Sequence, residues 1–125
     1  MQIKWEGVMP AVTTKFTKED KLDLKMFELN IRAQMEAGVN AIILGGTLGE
    51  ASTLTDDEKK ILIKETVAIV EGNIPVIINI AEQTTKGAVE AASKAKQYGA
   101  SGLMMLPPMR YKANDFETVT YFKEV

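Results

Sequence analysis

The chain has 125 residues, 46% of them apolar, with a formal net charge of −2. That suffices for one small domain or a part of a larger one, and no run of Lys or Arg marks a nucleic-acid surface. It holds neither cysteine nor histidine, which removes disulfides, thiolate nucleophiles, Ser-His-Asp triads and most transition-metal sites, so any chemistry falls to Lys, Tyr, Thr, Asp and Glu. No apolar run approaches the roughly 18 residues of a membrane span, and the N-terminus shows no signal-peptide core, so a cytoplasmic protein without a membrane partner is expected.

In chain order, an apolar strand is expected over about Gly7 to Thr13. A helix follows from Leu22 to Ala37, with Leu22, Met26, Leu29, Ala33 and Ala37 at helical spacing. It stops at Gly38, ahead of a strand over Ala41–Leu44. The segment 45–54, Gly-Gly-Thr-Leu-Gly-Glu-Ala-Ser-Thr-Leu, makes a glycine-rich turn. Such a turn between strand and helix leaves backbone N–H groups pointing into open space, where they suit a carboxylate or a phosphate.

The next helix, Asp56 to Glu71, opens with a capping box of Thr55 and Glu58 and stops at Gly72. A strand over Val76–Ile80 leads to a helix from about Thr85 to Tyr98, which Gly99 ends. A strand over Gly102–Leu106 precedes a last helix starting near Asn114, with Glu117 three residues on. The strands are apolar on both faces, as in a parallel sheet with helices outside it.

The pattern is α/β, four βα units long. A complete flavodoxin-like open sheet is one way to satisfy it. Against this, Phe116, Val119, Tyr121, Phe122 and Val125 make an apolar-rich helical segment without a terminal cap, which reads as a chain cut short within a larger domain.

Gly46-Thr47-Leu48-Gly49-Glu50, with Leu54-Thr55 and Glu58, resembles the G-T/S-T-G-E…L-T…E signature of the dihydrodipicolinate synthase and N-acetylneuraminate lyase family. Three further features agree in order. Gly7 to Thr14 looks like the family's opening strand, Ile74-Pro75-Val76-Ile77 is similar to its third-strand entry, and Leu106-Pro107-Pro108 is similar to the end of its fourth strand.

The resemblance implies a (β/α)8 TIM barrel, with residues 1–125 as its N-terminal half. It also implies a lyase (aldolase, dehydratase or deaminase) that joins a lysine amine to pyruvate or another 2-oxo acid as an iminium. That lysine belongs to the sixth strand, so this chain by itself would be inactive. The iminium is the electron sink, so no metal and no organic cofactor is implied. The family's assembly implies a homo-oligomer, a dimer or tetramer. The alternative is a non-catalytic half-barrel that self-associates or binds a small carboxylate.

Residue by residue, the resemblance makes Thr47 the catalytic hydroxyl that contacts the 2-oxo acid and joins a proton relay. Gly46, Thr47 and Leu48 bind substrate. Leu48 stands where the family usually has a second threonine, so one hydroxyl is lost while the backbone N–H remains. The relay tyrosine falls on Arg110, or on Tyr111 if the loop has slipped. Arg110 would suit a second anionic group on the substrate, and Tyr111 would serve as the catalytic tyrosine. Glu50 is expected to hold the turn by accepting backbone hydrogen bonds. The second relay tyrosine has no counterpart in Ala81-Glu82-Gln83-Thr84-Thr85. These departures favour a sugar-acid or hydroxyproline-pathway substrate over aspartate semialdehyde.

Overall fold

Each of the four α-helices in the computed structural model, which describes residues 3–125, begins at a side-chain cap. In α1, Leu24–Glu36, the Asp23 carboxylate accepts the Met26 N–H at 3.0 Å. In α2, Asp56–Val70, the expected capping box forms: Glu58 N–H donates to Thr55 Oγ1 at 3.2 Å, and Thr55 N–H to Glu58 Oε2 at 2.8 Å. Thr84 caps α3, Thr85–Tyr98, and Asn114 with Glu117 makes a second capping box for α4, Asp115–Glu124. Each cap satisfies N–H groups that the helix cannot, a contribution of about 1 kcal/mol.

α1 starts two residues later than the periodicity suggests. Leu22 is engaged in an antiparallel bridge with Phe16, and Asp23 N–H donates to the Lys15 carbonyl at 2.8 Å. At the other end of α2, Glu71 takes a left-handed conformation (φ 50°) before Gly72, so the stop is shared by two residues.

Three strands, β1 (Ile42–Leu44), β2 (Val76–Ile80) and β3 (Gly102–Met105), form a parallel sheet in the order β1-β2-β3. Ile42 pairs with Val76, and Ile77 to Ile80 pair with Gly102 to Met105. The expected strand at Gly7–Thr13 is reduced to one parallel bridge, Ala11 with Ile43. Ile43 N–H donates to Pro10 O, and Val12 N–H to Ile43 O. One step earlier in that register the donor to Ala41 would be residue 10, and proline has no N–H to give. The segment therefore lies along β1 with its ladder broken at Pro10.

The two faces of the sheet differ. Val76 and Ile78 pack with Phe27 and Ile31 of α1 and with Leu62, Ile63, Ile69 and Val70 of α2. By strand alternation Ile77 and Asn79 lie on the opposite face. All five β2 residues are buried, as expected for a strand covered on both sides. β3 departs from that expectation: its four residues are only half-buried, because among the described residues no strand pairs with its outer edge. A smaller core of Ile80, Ala88 and Tyr121 anchors α4, while Phe116 and Phe122 are exposed.

Candidate functional site

The turn after β1 is held at both ends by buried side chains from neighbouring segments. At its start, Asn79 Nδ2 donates to the Gly45 carbonyl at 2.9 Å. At its end, Thr14 Oγ1 donates to the Gly49 carbonyl at 2.7 Å. Between them Thr47–Gly49 form one turn of 3-10 helix, closed by Gly49 N–H to Gly46 O at 2.9 Å. Gly45 has φ 63°, a left-handed conformation, and a Cβ there would press on Ile78 Cδ1 at 3.2 Å. A Cβ on Gly49 would meet the Val12 carbonyl at 3.0 Å.

The consequence lies in the polarity of the turn. Its carbonyls at Gly45, Gly46, Thr47 and Gly49 all accept hydrogen bonds. The N–H groups of Gly46, Thr47 and Leu48 donate to no acceptor among the described residues. Three unpaired donors in one turn, one of them on buried Gly46, make a positive pole suited to an anionic group.

The turn opens into a cavity of about 280 Å³ at the carboxyl ends of the strands, lined by Thr47, Lys59, Asn79, Glu82, Gln83 and Met109 among others. Thr47 is exposed, and its hydroxyl makes no bond to the turn. Leu48 projects outward, 72% exposed. Ligand-binding sites of open and closed α/β sheets lie at this end of the strands.

Arg110 and Tyr111 lie elsewhere. The cavity takes in Met109 but neither of the two residues that follow. Tyr111 is 77% exposed and faces a separate surface recess with Pro108, Thr118 and Tyr121. The Arg110 guanidinium sits over the Tyr111 ring, 5.9 Å from its centroid, and Arg110 N–H makes a long 3.4 Å bond to Gln83 Oε1. The structure thus groups Thr47, Gly46 and Leu48 in one turn and leaves Arg110 and Tyr111 on a neighbouring loop.

Glu50 does not do what the sequence suggests. Its side chain is exposed and accepts no hydrogen bond among the described residues. Instead its left-handed backbone (φ 60°) and its carbonyl, which accepts both the N–H and Oγ1 of Thr53 at 2.9 Å, continue the turn toward α2. The residues that hold the turn, Thr14 and Asn79, escape the sequence reading. One signal was present: Asn79 is the single polar residue in Val-Ile-Ile-Asn-Ile, a strand otherwise wholly apolar.

Two neighbouring groups have shifted acidities. Burial, with the nearby Glu82 carboxylate second, pushes the Tyr121 hydroxyl above its ordinary range, and that hydroxyl donates to the Glu82 carbonyl at 3.4 Å. Outside the cavity, the Lys94 ammonium bonds the Asp56 carboxylate and holds it below the usual carboxylate range. No three acidic side chains gather as metal ligands among the described residues. No helix is long and apolar enough to cross a membrane among them either.

Comparison with known proteins locates this geometry. A 4-hydroxy-tetrahydrodipicolinate synthase of Thermotoga neapolitana is 35% identical over 121 residues, covering 97% of this chain and 41% of that protein. The solved dihydrodipicolinate synthase of Thermotoga maritima superposes with a TM-score of 0.91 at 35% identity, covering 94% of this chain and 39% of that one. A chloride-inhibited dihydrodipicolinate synthase of Acinetobacter baumannii, solved with pyruvate, gives a TM-score of 0.92 at 30% identity, covering 96% of this chain and 41% of that one.

The chain therefore spans about 40% of the length of the relatives it matches, and its fold is a partial (β/α) barrel. The dihydrodipicolinate synthetase family is matched over residues 4–125, and the chain belongs to that family.

Proposed function

We propose that this chain is the N-terminal part of a Schiff-base lyase acting on pyruvate or another small 2-oxo acid, and that the turn after β1 binds the carboxylate of that acid. The observation that carries the reading is the polarity of the turn: occupied carbonyls, and unpaired N–H groups at Gly46, Thr47 and Leu48. The Acinetobacter relative, solved with pyruvate, supports the same ligand class.

In this reading a lysine from the remainder of the barrel adds its amine to the ketone carbon. Water leaves, and an iminium forms that withdraws electrons from the adjacent carbon. The Thr47 hydroxyl, unbound to the turn, is available to pass a proton between the ketone oxygen and the relay. Leu48 replaces a hydroxyl by an apolar surface, and Arg110 or Tyr111 reaches the cavity only if the loop that carries them folds inward. The working protein is a cytoplasmic homo-oligomer that needs no metal and no organic cofactor.

The test is the intact mass of the full-length polypeptide carrying this segment, before and after pyruvate with borohydride. One reduced pyruvate adduct is expected. Its absence with every 2-oxo acid tried would sink the reading. Thr47→Val should leave adduct formation possible while lowering turnover about 100-fold, the usual scale for a lost proton-transfer group.

A second reading, a half-barrel that self-associates without catalysis, is favoured by the half-buried β3 and by exposed Phe116, Val119 and Phe122. Sedimentation of the 125-residue chain decides it, because a well-behaved monomer of 13.7 kDa contradicts self-association.

A further inference from the structure

Asn79 is an expensive residue to place where it stands. It is 8% exposed, on a strand whose other four residues are apolar and buried. Its Nδ2 reaches the Gly45 carbonyl at 2.9 Å, while its Oδ1 is buried and meets no partner among the described residues. An isoleucine in this strand would carry neither the desolvation of the amide nor the orphaned oxygen. The position therefore spends stability on a single donated hydrogen bond.

That bond does more than satisfy a carbonyl. The peptide unit is planar and trans, so the Gly45 C=O and the Gly46 N–H point in opposite directions from one rigid plane. Gly45 has φ 63° and no side chain, which gives its backbone wide freedom of rotation. Holding the Gly45 oxygen fixes where the Gly46 N–H points, and that N–H has no acceptor among the described residues although Gly46 is buried. Asn79 also lines the cavity into which the turn opens.

Extending the lyase reading above, on which it rests, we propose that Asn79 is a positioning residue for the carboxylate of the bound 2-oxo acid: it anchors the Gly45 carbonyl and thereby aims the Gly46 N–H at that carboxylate. The effect falls on binding of the acid more than on the chemical step, because the bond is present in the free protein and the carboxylate keeps its charge through the reaction.

The experiment uses the full-length polypeptide and three variants, Asn79→Ala, Asn79→Asp and Asn79→Gln, with KM and kcat for pyruvate in its condensation with an excess of an aldehyde acceptor measured from pH 6 to 9, against melting curves. Asn79→Ala should raise KM about tenfold, with a smaller change in kcat.

Asn79→Asp supplies the decisive signature. Ionised, the introduced carboxylate cannot donate to the Gly45 carbonyl and repels it, so KM is highest at high pH. Protonated, its O–H donates as the amide did, so KM relative to the unsubstituted protein falls as the pH is lowered. A residue that only supports folding would alter melting and active fraction without a pH-dependent KM.

KM unchanged in Asn79→Ala, or a KM ratio for Asn79→Asp that does not vary with pH, overturns the inference while an intact borohydride adduct leaves the lyase reading standing. No adduct in the unsubstituted protein overturns both. Asn79→Gln, one methylene longer, should bind better than Asn79→Ala if the donated bond is what matters; equal weakness of the two also counts against it.

Discussion

The loops that follow β1 and β3 sit at the same end of one parallel sheet, yet they are held in different ways. The first is tied by two buried side-chain donors, Asn79 at Gly45 and Thr14 at Gly49, and is closed within itself by the Gly49–Gly46 bond. After Leu106 N–H donates to the Ile80 carbonyl, the second is held by a 3.4 Å bond from Arg110 N–H to Gln83 Oε1, and its Met109 and Tyr111 are 74% and 77% exposed. A loop whose backbone polar groups are satisfied by buried neighbours has one low-energy geometry. A loop resting on one long exposed bond takes its geometry from whatever packs on it. The half of the candidate site that carries the unpaired N–H groups is built in; the half bearing Arg110 and Tyr111 is not.

The sharpest way to break the contrast is at Gly45. Gly45→Val forces a β-branched residue into φ 63° and against Ile78, and should cost about 2–3 kcal/mol in denaturant unfolding. A cost under a third of that would mean the turn adapts and is not preset. Thr14→Val removes the buried donor to Gly49 with little change in volume, and about 1–3 kcal/mol should be lost by the same assay.

Next in size is an alkaline effect at Tyr121, buried on α4, the helix that follows the second loop. Its folded acidity constant is raised above the ordinary 10.0. The stability gained by keeping the hydroxyl neutral is therefore complete below about pH 10 and is lost as the pH rises through the folded value. Stability of the protein should decline along that limb, and Tyr121→Phe should flatten it; an unaltered limb would assign the decline to other groups. The smallest effect is expected from the double variant Met109→Ala, Tyr111→Ala, whose cost should stay within about 0.5 kcal/mol because both side chains face solvent. A larger loss would show that this loop is as firmly built as the first.

Much of the architecture could be read along the chain because it rests on local physics. Thr55 with Glu58 and Asn114 with Glu117 mark helix starts through bonds that span three residues, and the apolar runs at 42–44 and 76–80 mark strands that must be covered. The Gly45–Glu50 segment announced a tight turn at the end of β1 through its glycines.

What failed did so for non-local reasons. The strand expected at Gly7–Thr13 loses its ladder because Pro10 falls where an N–H to the Ala41 carbonyl is needed, a matter of register with a distant segment. Glu50 looked like the group that braces the turn, whereas the bracing comes from Thr14 and Asn79, which lie 35 and 34 residues away from the carbonyls they hold. The separation of Arg110 and Tyr111 from the cavity that Thr47 lines was equally out of reach, since it depends on the path of a loop across the sheet's end.

By itself, then, the sequence determined the alternation of helices and strands, the family and the place of the turn after β1. Those follow from capping, periodicity and a glycine-rich turn, each confined to a few consecutive residues. Which side chains fix the turn, which way its N–H groups point and which loops share the cavity were decided only by the tertiary structure. Each of these is a hydrogen bond or a contact between segments whose meeting is set by sheet register and not by any local preference.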